Sequence, residues 1–452
     1  MYIGNRSSII GKVCTQQNGT ARSVESSDIS VPPGYQVEVF AQGLETPVGI
    51  VFTDEGDLLY AESGYSTGNP RVIRISNGNF EVIAEGFRVP ISGINIRNRE
   101  IYVSSRGEIS IIKLDGSRQD IIRGLPGFGD YTNNRVTFSP DNKIYFGLGT
   151  YTNSGVVGLD NDWVFERPLL HDYPGSFILI NGINYETENI LIPAEKSTLT
   201  GAFKPFGVPN TRPIEVIDGR MKASGSILRA NLDGSDLELV AWGLRNPVQL
   251  NFDGFNQLYL TNQGYENRGS RPIANALDEI QLLNPGTWYG WPDYTGGIPV
   301  NQPRFAPEGG EVPTLILASI PSVPPRPVAV FPSDSHIMGF AFNENPAFGT
   351  VGEVYVAEFG QIRYRTSGEL IRSGYGHRIS KVDVVYGQVS TFAINKSGFP
   401  AIAPFEGGLG RPTDVRFGPD GAMYVSDFTS TILQNPYEYQ PNTGVIWRIS
   451  RL

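Results

Sequence analysis

Cysteine is nearly absent: Cys14 is the only one in 452 residues. A single thiol excludes an intramolecular disulfide and any multi-cysteine metal site. Histidine is scarce as well, with only His171, His336 and His377. No phosphate-binding loop or HExxH pattern occurs. No apolar run reaches the ~18 residues of a membrane span. The stretch from Met1 to Gly11 lacks the apolar core of a signal peptide, so a soluble chain of unassigned compartment is expected. Positive charge is in deficit. Lys and Arg number 36 against 46 Asp and Glu, a net charge of −10, which argues against a nucleic-acid backbone as partner.

Turn formers and ring residues are plentiful. The 53 Gly and 33 Pro imply many turns, and the 24 Phe and 21 Tyr favour strands. Arg411 to Ser430 shows how they combine. Two short runs, Thr413–Phe417 and Ala422–Ser426, flank Gly418-Pro419-Asp420-Gly421. Val415, Phe417, Met423 and Val425 fall at period two around an Asp-Gly turn, which is the pattern of a β-hairpin.

Imperfect copies of this hairpin, each followed by up to two more strands, run back towards the N-terminus. They start near Pro47, Ile91, Asn134, Pro247 and Ile337. The copy starting at Arg411 ends at Leu452 without a fourth strand. Gln36–Ala41, with no copy of its own, resembles the fourth strands of the others. The inference is an all-β fold, a six-bladed β-propeller closed by the N-terminal strand completing the last blade. Residues 1–34 are expected to be a poorly ordered or loosely docked arm, and residues 35–452 the propeller. An insertion at about 151–222, rich in Pro, Gly and Asn, interrupts the third copy; a loop that long is usually functional.

In such a fold the start of each first strand and the end of each second strand converge on one channel mouth. The positions are Glu62; Ser105 and Arg106; Asn133, Asn134 and Thr150; Arg245, Asn246, Asn262 and Gln263; Ser335, His336 and Glu358; Arg411 and Asp427. Arg245 and Asn246 bring forked donors and an amide to the mouth. His336 is a candidate general base, and His171 in the insertion is a second. Glu266, Asp278 and Glu279, with Gln263, are oxygen-bearing candidates for Ca²⁺. Asp278 and Glu279 are neighbours, so on a strand at most one faces a given site.

Val240-Ala-Trp-Gly-Leu-Arg-Asn-Pro247, Asp278–Leu283, Trp288–Asp293, Pro327–Phe331 and Arg411–Asp427 together resemble the soluble quinoprotein glucose/sorbosone dehydrogenases. That resemblance implies a six-bladed propeller holding pyrroloquinoline quinone (PQQ) and Ca²⁺ at the channel mouth. Arg245 and Asn246 then match the cofactor-contacting Arg-Asn, Gly264–Gly269 the Ca²⁺ loop, and Arg411 a basic position of the last blade. A sugar-like substrate and a periplasmic or secreted location follow from the same resemblance. The pattern departs at three points. The position of the family's general-base His reads Asp130-Tyr-Thr-Asn-Asn134, the Gly-Asp that orients it reads Gly149-Thr150, and the Ca²⁺ loop reads Gly264-Tyr-Glu-Asn-Arg-Gly269.

The expected function is PQQ-dependent oxidation of a sugar hydroxyl or aldehyde with an altered base. Catalysis would fall to His336 and Arg245, and cofactor binding to Arg245, Asn246, Gln263, Arg411 and Asp427. Two alternatives stand beside it. One is a propeller kept as a binding or structural module without the chemistry. The other is a metal-dependent lactonase using Glu62, Asn246 and Asp427.

Overall fold

The computed structural model describes residues 14–15, 22–192, 194–361, 363–364, 370–371, 375–401, 407–429 and 439–452. Its main strands fall in sequence order into antiparallel sheets. After β1 (Tyr35–Leu44) comes a sheet of β2 (Pro47–Phe52), β3 (Leu58–Glu62), β4 (Arg71–Ser76) and β5 (Asn79–Glu85). A second holds β6 (Ile91–Arg97), β7 (Glu100–Ser105), β8 (Glu108–Ile112) and β9 (Arg118–Arg123). In the third, β10 (Thr137–Phe138) and β11 (Lys143–Leu148) pair across the insertion with β12 (Ser226–Asn231) and β13 (Glu238–Trp242). The fourth is β14 (Asn246–Phe252), β15 (Leu258–Gln263), β16 (Asp278–Leu282) and β17 (Ala329–Phe331). The fifth is β18 (Ile337–Phe342), β19 (Val354–Glu358), β20 (Arg378–Asp383) and β21 (Gln388–Asn395). The last has β22 (Pro412–Phe417), β23 (Met423–Asp427) and β24 (Gly444–Arg451), and β1 pairs with β24 from Tyr35↔Arg451 to Leu44↔Gly444.

Local chemistry explains these elements. In the last hairpin, Val415 and Val425 pair on one buried face. The turn is tight: Gly421 takes φ +78° and its N–H bonds the Gly418 carbonyl at 2.9 Å, a conformation that suits glycine. Among the strands of these six sheets, one escaped the period-two reading. β17 lies in the Pro-rich connection after β16 and is only three residues long, closed by Pro332. It is too short to show a period, and proline confines it to the outer edge.

Each sheet packs on the next through a separate apolar cluster. Ile50, Leu58 and Tyr60 of the first sheet meet Tyr424 and Ile446 of the last. Tyr102 and Ile109 of the second meet Phe146 and Leu228 of the third. Polar bonds tie neighbouring first strands. Asn95 Nδ2 donates to Val136 O at 2.9 Å, Asn134 Nδ2 to Pro247 O at 2.9 Å and Gln249 Nε2 to Phe340 O at 3.0 Å. Thr413 Oγ1 donates to Pro47 O at 2.9 Å, joining the last sheet to the first. Gly339 lies so near β22 that a Cβ there would sit 2.5 Å from Asp414 Oδ1.

The insertion folds over the third and fourth sheets. Ile178, Phe203, Trp242, Trp288, Trp291 and Ile316 share one cluster. Arg271 and Asp293 form a buried ion pair of 2.7 Å beneath it, and Asp293 also accepts from Ile316 N and Leu317 N. No helix of the described residues is long and apolar enough to cross a membrane.

The stretch expected as a loose arm makes specific contacts: Cys14–Thr15 pairs in parallel with Ala41–Gln42 on the outer edge of β1, and further contacts follow from residue 22. Ile29–Ser30 pairs with the end of β21, and Ile29 is buried. Arg22 forms a fully buried 2.7 Å ion pair with Asp427. Stranding one member of a buried pair costs about 3–5 kcal/mol. Arg22→Ala is therefore expected to lower stability by roughly that amount, read as a drop in the urea midpoint with an unchanged slope. A loss below about 0.5 kcal/mol would mean that Asp427 does not depend on Arg22.

Candidate functional site

A cavity of about 300 Å³ opens where the first strands begin. All six sheets or their loops reach it, through Val48 and Tyr65, Ser92 and Arg106, Tyr131 and Asn134, Asn246 and Gln263, His336 and Phe359, and Thr413 and Phe428. Arg135 and Gln249 also line it. The lining combines aromatic rings with a few polar groups, as in small-molecule sites.

Of the expected site residues, Arg106, Asn134, Asn246, Gln263, Glu266 and His336 line this cavity. The amides are linked, Asn246 Nδ2 donating to Gln263 Oε1 at 2.8 Å, while Asn134 Nδ2 donates to Asn246 Oδ1 at 3.1 Å. His336 occupies a turn at φ +46° with its side chain 22 % exposed. Its Nε2 lies 3.9 Å from Glu266 Oε1. Burial lowers the His336 pKa to about 4, helped by Arg245, Arg411 and Arg268 and opposed by Glu266. The ring is therefore neutral at pH 7. Burial alone would raise Glu266, but Arg245 and Arg268 outweigh it and hold the carboxyl well below its usual range.

Arg245 is turned away from the cavity lining. Its Nε donates to Asn153 O at 3.2 Å, Nη2 to Asn153 Oδ1 at 2.9 Å, and Nη1 to the Gly264 carbonyl. Glu266 Oε1 lies 3.6 Å from Nη2, and the guanidinium carbon sits 4.6 Å from the centre of the Tyr131 ring. Arg411 is likewise buried, its guanidinium 4.6 Å from the Phe359 ring and its Nη1 donating to Gly360 O at 3.2 Å. His171 lies outside the cavity lining, on the insertion, its Nδ1 2.9 Å from the Leu169 carbonyl.

Asp427 was expected to contact cofactor, and its carboxylate is committed elsewhere. It accepts from Gly410 N at 2.8 Å, Arg411 N, Arg22 Nη2 and Trp447 Nε1. The expected metal set is also dispersed. Asp278 accepts from Gly264 N at 2.7 Å and Ile337 N at 3.0 Å, and burial raises its pKa to about 7. Glu279 points to the other face of β16, where it accepts from Gln281 Nε2 and Gly296 N and burial raises its pKa. Glu266 pairs with Arg268. Among the described residues no three acidic, His or Cys side chains are grouped to hold a metal. The lactonase set fares the same way, since Glu62 pairs with Arg71 at 2.7 Å and Asp427 with Arg22.

Three residues central to this arrangement stand outside the mouth positions drawn from the sequence. Tyr131 covers Arg245. Asn153, from the insertion, also accepts from Glu266 N at 2.9 Å and donates to Glu266 O and Arg268 O. Arg268 joins Glu266, Asp130 and Asp160, the last two at 2.8 and 2.5 Å. The sequence cues were the two departures from the family pattern that contain Tyr131 and Arg268, Asp130–Asn134 and Gly264–Gly269; Asn153 had none.

No protein-family profile matches the chain. A protein of Borreliella burgdorferi described as uncharacterized is 23% identical over 421 residues, covering 91% of this chain and 92% of that one. Quinoprotein glucose dehydrogenase B of Acinetobacter calcoaceticus is 24% identical over 188 residues, 39% of this chain and 29% of its own. Among solved structures, the holo PQQ domain of pyranose dehydrogenase from Coprinopsis cinerea superposes with a TM-score of 0.59 at 16% identity, covering 95% of this chain and 98% of that one. The fold is the all-β propeller type of PQQ-dependent sugar dehydrogenases.

The residues present do not fit a bound PQQ–Ca²⁺ pair. Calcium requires free oxygen ligands, yet the Gly264 carbonyl already accepts from the Arg245 guanidinium. PQQ carries several carboxylates, which favour free cations. Here Arg245 is spent on Asn153, Gly264 and Glu266, Tyr131 covers its face, and the ionised Glu266 lines the cavity.

His336 gives a pH signature. Its pKa in the folded chain, about 4, lies below the reference value of 6.5. The unfolded state therefore binds more protons between these values, and stability is lost as pH falls from 6.5 towards 4. Thermal melts of wild type and His336→Gln should converge in Tm, or cross in favour of the variant, over that window. A constant Tm difference from pH 7 to 4 would show that His336 is not held neutral.

Proposed function

We propose that the six sheets are the blades of a six-bladed β-propeller closed by β1. Its mouth cavity binds a sugar-like small molecule without the quinone-and-calcium chemistry implied by the family resemblance. Residues 35–452 make up the propeller, residues 1–34 its arm, and the insertion at about 151–222 part of the rim. The observation that carries this reading is the engagement of Arg245: the side chain matching a cofactor contact bonds a carbonyl of the loop that matches the calcium-binding loop. The lining supports the ligand class. Tyr65, Tyr131, Phe359 and Phe428 offer flat apolar faces, while Asn134, Asn246, Gln249 and Gln263 offer amides for hydroxyl groups. The named relatives that act on glucose and pyranose sugars point the same way.

A second reading, PQQ-dependent oxidation of a sugar hydroxyl or aldehyde, is favoured by His336. It is a neutral proton acceptor on the cavity wall beside an ionised carboxylate. It would also need Arg245 to leave Gly264 and Tyr131 to leave Arg245.

Calorimetric titration separates the two readings. Under the first, an aldose binds the chain with no added cofactor, and Tyr131→Ala weakens binding about tenfold, or ~1.4 kcal/mol. Micromolar PQQ with Ca²⁺ then leaves the quinone unbound. Uptake of PQQ together with PQQ-dependent dye reduction by aldoses would replace the first reading with the second. Arg245→Ala would then abolish the dye reduction.

A further inference from the structure

At the opposite end of the first strands from the mouth, a second cavity of about 510 Å³ lies between the fourth, fifth and last sheets. Asn251, Phe252, Phe342, Glu344, Arg416 and Phe417 line it. The chemistry centres on Arg416. Its Nε and Nη2 are buried and make no hydrogen bond, and its side chain is only 18 % exposed.

The carboxylate nearest Arg416 is already engaged. Asp414 Oδ2 pairs with Arg135 Nη1 at 2.5 Å and accepts from Ile50 N at 3.0 Å, and Oδ1 accepts from Val415 N. Arg416 Nε stands 3.6 Å from Oδ2, beyond hydrogen-bonding range. One buried carboxylate thus serves two guanidiniums, bonding Arg135 directly and leaving Arg416 with a looser 3.6 Å ion pair and no hydrogen bond from Nε or Nη2. Burial and the Arg135 charge lower the Arg416 pKa to about 9, so it stays mostly charged at pH 7. Glu344 lines the same cavity and is exposed; among the described residues it makes no ion pair with Arg416.

A desolvated guanidinium with unused donors is costly unless an anion meets it. Its planar fork suits carboxylate and phosphate oxygens. We propose that this cavity is an oxyanion site in which Arg416 binds a small carboxylate or phosphate at the end of the channel remote from the mouth.

Thermal unfolding of the full chain, with sodium acetate or sodium phosphate titrated at constant ionic strength, tests this. Wild type should rise in Tm with anion concentration along a binding curve. Arg416→Met should lose that rise while staying folded, and without anion it should be no less stable than wild type, since it removes an unmet buried charge. Glu344→Gln, which removes the opposing charge, should tighten binding at least threefold. A response to acetate alone or to phosphate alone supports the site and names its ligand. No rise in wild type, or an equal rise in Arg416→Met, overturns the proposal. The sugar titrations at the mouth leave this result untouched, so the two readings fail separately.

Discussion

A carboxylate buried at the mouth end of a strand has to be paired, and that need organises this side of the molecule. In the first and fifth sheets, strand register meets it. Arg71 stands directly across from Glu62 and Arg378 across from Glu358, with ion pairs of 2.7 and 3.0 Å. In the last sheet the residue across from Asp427 is Val445, which offers no charge. Arg22 supplies it from outside the sheet, and Trp447 adds a ring N–H. The N-terminal segment thus gives the last sheet both an outer strand and the cation its register lacks. The turn from Gly410 to Arg411 hangs from the same carboxylate, so Arg22 also fixes how Arg411 is presented.

The strands were legible because their signals are local. Period-two burial and Asp-Gly turns lie within a dozen residues of one another, and repetition let the copies corroborate each other. The mouth was legible as a place, since topology alone brings Asn246, Gln263, Glu266 and His336 to one cavity. The roles of its charged residues were not. Whether a carboxylate offers oxygens to a ligand depends on which donors reach it, and those donors are remote in sequence. Arg22 reaches Asp427 across the length of the chain, and Ile337 N reaches Asp278 from the next sheet. Arg71 and Arg378, close in sequence to their carboxylates, could have been flagged from strand register; Arg22 could not.

The same logic of pairing extends to the loop that carries Gly264. A carbonyl can be satisfied by a metal ion or by a covalently tethered cation, and here Gly264 has the tethered one. The exchange is not an isolated rotamer, because several residues hold it. Asn153 of the insertion accepts both Arg245 and the Glu266 amide, Glu266 balances Arg245 and Arg268, and Tyr131 covers the guanidinium. Undoing one contact leaves other buried charges unmet, so the network resists partial opening.

The two ends of the first strands therefore treat buried charge differently. At the mouth, Glu62, Glu266, Glu358 and Asp427 each have a cation from within the chain. Along the channel, Gly49 and Gly339 let Asp414 approach, and Arg135 crosses to it from the third sheet. That pair closes the interior and takes the carboxylate's direct bonds, so Arg416, two residues along β22, keeps only a 3.6 Å ion pair with it. Adding an acidic side chain there would neutralise the charge permanently. The chain instead leaves it facing a cavity, where whatever fills it must come from solution. Charge is thus settled within the fold at one end and left to a ligand at the other.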